Sequence, residues 1–103
     1  MKRNHLSNRR GAETFDFQHD NIDYVVTVGR YEDGTLAEIF MNGGKLDSGV
    51  DFTIRDAAIA ASLALQYGCP PAVLAGALTR VADDKPGGPL GRLFMILLGD
   101  RQP

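Results

Sequence analysis

Cysteine occurs once, at Cys69. A lone thiol excludes an internal disulfide and any zinc site built from several cysteines, and it suits a reducing compartment. There is no long hydrophobic run. The most apolar stretch, AAIAASLAL at residues 57–65, is too short and too closely flanked by charge to span a bilayer. The N-terminus carries no apolar segment, so neither a signal peptide nor a membrane anchor is expected, and the expected location is the cytoplasm. Acid is missing from the first eleven residues, which hold Lys2, Arg3, Arg9 and Arg10. The remainder holds 7 basic residues against 13 acids, so a +4 arm precedes a −6 body. Such an arm either meets an anionic partner or is a solubilising tail, and four charges favour the second reading.

What is present describes one small domain. The 103 residues leave room for one core and bury a little under ~70% of the unfolded surface. The division expected is a flexible basic arm at 1–10, a single domain at 11–99 and a frayed tail at 100–103. Residues 13–18, ETFDFQ, alternate, with Phe15 and Phe17 on one face. Residues 22–30, IDYVVTVGR, place Ile22, Tyr24, Val26 and Val28 on one face and are rich in β-branched side chains. His19-Asp20-Asn21 has turn chemistry, and Asp33-Gly34 is a hairpin signal before a third strand at 35–41. The product is a three-stranded antiparallel meander.

Three helices follow. Asp47 or Ser48 is placed to cap the first, across 51–68, and Gly68 stands where a left-handed residue ends it. With its five alanines and the single polar Ser62 between 57 and 65, this helix is expected to be an interior rod covered on most sides. Pro70-Pro71 opens a second helix through 81. Residues 83–89, DDKPGGP, read as a loop, and 90–98, LGRLFMILL, as a short apolar third helix. The fold class is α+β, β-β-β-α-α-α, with the helices packed on one face of the meander. The last helix either docks on the core or makes a twofold contact with a second copy.

No constellation announces chemistry. His5 falls in the arm and His19 in a turn, so metal binding by His19 with Asp16 or Asp20 is not the expected role, and no metal site is assigned. Cys69 sits beside the negative end of a helix dipole, which disfavours a thiolate. The glycines at 42–45 and 86–91 lack phosphate-loop spacing. Ala64, Gly68 and Leu74 match helix-turn-helix offsets, but the recognition helix at 70–81 would offer only Thr79 and Arg80, both at its far end. Nucleic-acid binding is therefore not the favoured reading.

One series of motifs has a familiar counterpart: Arg9-Arg10-Gly11, Glu13-Thr14-Phe15, Gly29-Arg30-Tyr31-Glu32-Asp33-Gly34, Ala37-Glu38-Ile39-Phe40, Asp56-Ala57-Ala58-Ile59 and Leu65-Gln66-Tyr67-Gly68-Cys69-Pro70. Together these resemble the TSCPD domain, a module similar to the C-terminal region of cobalamin-dependent (class II) ribonucleotide reductases that also occurs as small free-standing bacterial proteins. The resemblance runs from about Arg9 to about Leu98. In the reductases it resembles, radical generation, cobalamin binding and nucleotide reduction belong to a large barrel, and the reducing relay uses paired cysteines. No residue here matches those positions, so no catalytic residue and no cofactor is carried over, and a reductase label fits by similarity alone. The resemblance implies a bacterial, cytoplasmic setting in DNA biosynthesis. The expectation is a non-catalytic accessory module acting through a protein partner, a ribonucleotide reductase being the candidate. Arg9, Arg10, Arg30, Tyr31 and Glu32 form its expected interaction surface. The alternative is a small nucleotide- or ligand-binding regulatory domain with a pocket lined by Tyr24, Arg30 and Glu38.

Overall fold

The computed structural model describes residues 1–7 and 11–99. Among them the chain forms a three-stranded antiparallel sheet in the order β1-β2-β3 followed by three α-helices, an α+β fold. Strands β1 (Ala12–His19), β2 (Ile22–Arg30) and β3 (Leu36–Gly43) are joined by short connections. Asp20 and Asn21 both take positive φ, 51° and 65°, which is the two-residue turn that matches strand twist. The second connection closes with the Gly34 N–H donating to Tyr31 O at 2.9 Å and Gly34 at φ 90°. The alternation seen in the sequence is the one observed. Tyr24, Val26, Val28, Ile39 and Met41 are buried on one face, with Phe15 and Phe17 packed against them. Each strand has a two-residue period, so the other face carries Thr14, Thr27 and Phe40.

Helix α1 (Gly49–Gln66) starts where Ser48 accepts the Asp51 N–H. It ends in a Schellman motif: the Gly68 N–H reaches Leu65 O, the Cys69 N–H reaches Ala64 O, and Gly68 sits at φ 108°. Ile54, Ala58, Ala61 and Leu65 form its buried stripe. Its polar positions do something further. The Gly43 N–H donates to Asp51, the Ile39 N–H donates to the Ser62 hydroxyl, Ser62 donates back to Ile39 O, and the Gln66 amide donates to Ala37 O. Residues 37, 39 and 43 are alternate positions of the edge strand β3, and these backbone groups bond to α1. The helix thus closes an edge that would otherwise be an open pairing template.

Two expectations are corrected. The interior rod is covered on one arc only: Phe52 is 51% exposed and Ile59 56%, with Val50, Leu63 and Tyr67 also exposed. A three-stranded sheet is too narrow to wrap a helix, and α3 packs on the sheet beside it rather than over it. The second helix, α2 (Pro71–Ala77), stops four residues short of the expected end. Gly76 weakens its last turn. Leu78 turns extended at ψ 153° to pack its side chain against the core. Arg80–Val81 (β4) then pairs with Lys85–Pro86 (β5) across a turn in which Asp83 and Asp84 both have positive φ. Helix α3 (Pro89–Leu97) buries Leu93 and Phe94 completely in the chain's own core, leaving Ile96 and Leu98 exposed. No described helix is long and apolar enough to cross a membrane.

Candidate functional site

The β2–β3 connection carries the residues singled out in the sequence. Arg30 donates to Gly34 O at 3.1 Å and lies 3.8 Å from the Glu13 carboxylate. The Tyr31 hydroxyl donates to Asn4 O at 2.6 Å, and Glu32 is exposed at the tip. Arg3 donates through Nε to the Gln66 side chain, and the Asn4 N–H donates to Gln66 O at 2.7 Å. Residues 3 and 4 therefore tie the end of α1 to the hairpin, and a groove opens between arm and hairpin, lined by His5, Glu13, Arg30 and Tyr31. Burial raises the Tyr31 hydroxyl above its ordinary value, with Arg3 opposing and Asp33 and Glu38 adding to the rise, so the phenol stays a donor at neutral pH. Arg9 and Arg10 lie outside the described residues. Arg30, Tyr31 and Glu32 do come together, but Arg30 and Tyr31 are engaged within the chain.

Tyr24, Arg30 and Glu38, expected to line one pocket for a nucleotide or other ligand, do not converge. Tyr24 lies on the buried face against the Phe17 ring, 5.6 Å between centroids. Glu38 lies on the opposite face, folded over Gly29 so closely that an added Cβ there would stand 2.5 Å from its Oε2. The sheet itself separates the two side chains. At the β1–β2 turn, His19 Nε2 lies 3.5 Å from Asp20, and Asp16 is on the other face from His19. The helix-turn-helix geometry fails as well. Arg80 belongs to β4 and bonds Asp84, leaving α2 with no long polar side chain.

The surface missed in the sequence is the outer arc of α1. Phe52, Ile59 and Leu63 stand at i, i+7 and i+11, which brings them to one line along the helix. With Tyr67 at its end this makes a mainly apolar ridge, interrupted by the exposed Asp56 between Phe52 and Ile59, beside the closed edge of β3. The signal was present as that spacing. It was masked because the alanines between the large residues make the helix read as apolar all round. Arg55 flanks the ridge, 5.7 Å from the Phe52 ring and 3.3 Å from Asp47.

The Asp51 carboxylate is held by several donors at once. It is 1% exposed and accepts from the N–H of Asp47 at 3.0 Å, the N–H of Gly43 at 3.1 Å and the amide of Asn42 at 3.3 Å. The bond from Asp47, then that from Gly43, hold its pKa below the ordinary carboxylate value. Every one of these bonds locks the β3–α1 junction, so the carboxylate is structural. Cys69 offers its thiol to Pro70 O at 3.7 Å.

Searches for similar proteins returned no matching family model, no matching curated protein and no matching solved structure.

Proposed function

We propose that this chain is an accessory interaction module that works by binding a protein partner along the α1 ridge. The observation that carries the reading is the line of Phe52, Ile59 and Leu63, large apolar side chains held in water by a helix whose other arc is anchored to β3. Isolated exposed apolar residues are ordinary, but several aligned on one arc of a rigid element, here with the exposed Asp56 between Phe52 and Ile59, are the form an interface with a polar contact takes. The resemblance to the TSCPD module makes a cobalamin-dependent ribonucleotide reductase the partner to try first, in the setting of DNA biosynthesis. The titratable groups named above fit this reading: Asp51, Arg30 and Tyr31 are each bonded into the fold.

The test is co-purification of the tagged chain with such a reductase, alongside its Ile59→Asp variant. Capture by the wild type, reduced about tenfold or more by the substitution, is expected, because a charge at the centre of an apolar interface is left unpaired. Equal capture by both, or none by either while both are folded, overturns the reading.

A further inference from the structure

A different arc of α1 lines a cavity of about 500 Å³. Val50, Ile54 and Ala57 form one wall, Leu78 and Leu90 the facing one, and Tyr24 the floor. Thr53 and Thr79 are the polar side chains besides Tyr24, and both are exposed. No Asp, Glu, Lys, Arg or His is among the lining residues. Tyr24 is itself uncharged, since burial, helped by Asp20, raises its hydroxyl above the ordinary value. Cavities of roughly 300–1,000 Å³ with apolar walls and a few polar groups are the usual form of small-molecule sites. A carboxylate or phosphate placed here would lose water and gain no counter-charge.

We propose that this cavity binds an uncharged, mainly apolar small molecule carrying one hydrogen-bonding group. The apolar body rests on Ile54, Ala57, Leu78 and Leu90, and the polar end meets the hydroxyls of Thr53 and Thr79. Two glycines leave the space open. An added Cβ at Gly49 or Gly88 meets nothing within 4 Å, and Gly88 is extended at φ −131°, a conformation any residue adopts. A side chain at Gly88, a lining residue of the cavity, therefore enters open space without straining the backbone.

The test compares two fluorescent probes of nearly the same skeleton, neutral N-phenyl-naphthylamine and anionic anilinonaphthalene sulfonate. The neutral probe is expected to bind the full chain saturably, with the sulfonate weaker by about tenfold or more. Gly88→Leu is expected to weaken the neutral probe by a similar factor of about ten, while Ile59→Asp leaves it unchanged. Amide shift mapping on the wild type supplies a readout independent of how the variants fold: shifts centred on Val50, Thr53, Ala57 and Thr79 support the site. Shifts centred on Phe52, Ile59 and Leu63, equal binding of the sulfonate, or the absence of saturation overturns it. The ridge reading stands or falls separately, since its own substitution is the control here.

Discussion

Gly43 and Asp51 show how closely single residues are specified. At Gly43 an added Cβ would stand 2.1 Å from Tyr24 Cδ1, because the tyrosine ring of the neighbouring strand lies flat across the glycine. Gly43→Ala is expected to destabilise the fold by about 3 kcal/mol through overpacking, read as a lowered denaturation midpoint with an unchanged slope. Asp51 makes a prediction in pH. Its folded pKa lies below its ordinary 3.8, so it stabilises the fold above that value, and the contribution is lost as pH falls through the folded pKa. Asp33, exposed and lowered chiefly by the N–H of Thr35, titrates in the same direction. Asp51→Asn is expected to lower the melting temperature at neutral pH by roughly 5 °C or more. The variant should also lose less stability than the wild type between neutral pH and about pH 3. A thermal melt series in both proteins checks this, with Asp33→Asn as the comparison. Parallel curves for Asp51→Asn and wild type would place the acid sensitivity elsewhere.

At the scale of elements, the helix that closes the β3 edge is the organising piece. Ser62 satisfies both the N–H and the C=O of Ile39, so Ser62→Ala leaves two partly buried backbone groups without partners, at a cost of about 1–3 kcal/mol. Hydrogen exchange at the Ile39 amide is expected to accelerate more than at the Val26 amide, which lies in the central strand. Uniform acceleration would mean that the edge and the core open together. This edge closure was not legible in the sequence, because an acid in a first turn and a serine among alanines each have an ordinary local explanation. The strands were legible, since a two-residue period in β-branched and aromatic residues survives over 22–30, and Asp20, Asn21, Gly34 and Gly68 mark turns by their backbone tolerance. The β4–β5 pair was not, since two residues are too few to show a period. The end of α2 was hidden in the same way: Leu78 fits helical spacing yet leaves the helix to reach the core. Of the candidate site, the grouping of Arg30, Tyr31 and Glu32 on one connection was legible. Their contacts with the arm, and the bare arc of α1, depend on which faces tertiary packing covers.

Across the whole molecule the basic arm and the α1 ridge are rival candidates for the working surface, and their energetics separate them. The bonds that hold the arm include Arg3 to the Gln66 side chain, the Asn4 N–H to Gln66 O, and the Tyr31 hydroxyl to Asn4 O. These bonds contribute about 1 kcal/mol each, whereas ordering the backbones of residues 3 and 4, which make them, costs roughly 1–2 kcal/mol apiece. This point of attachment therefore sits near balance. Deleting residues 1–7 is expected to change stability by less than about 1 kcal/mol, measured by denaturant unfolding. The same deletion leaves partner capture intact if the ridge is the interface, because Phe52, Ile59 and Leu63 are anchored by Asp51 and Ser62, which do not touch the arm. Loss of capture on deletion, with Ile59→Asp still captured, would transfer the interface to the arm and the hairpin. A loss of several kcal/mol on deletion would instead make the arm part of the fold, fastening α1 to the β2–β3 connection through Gln66.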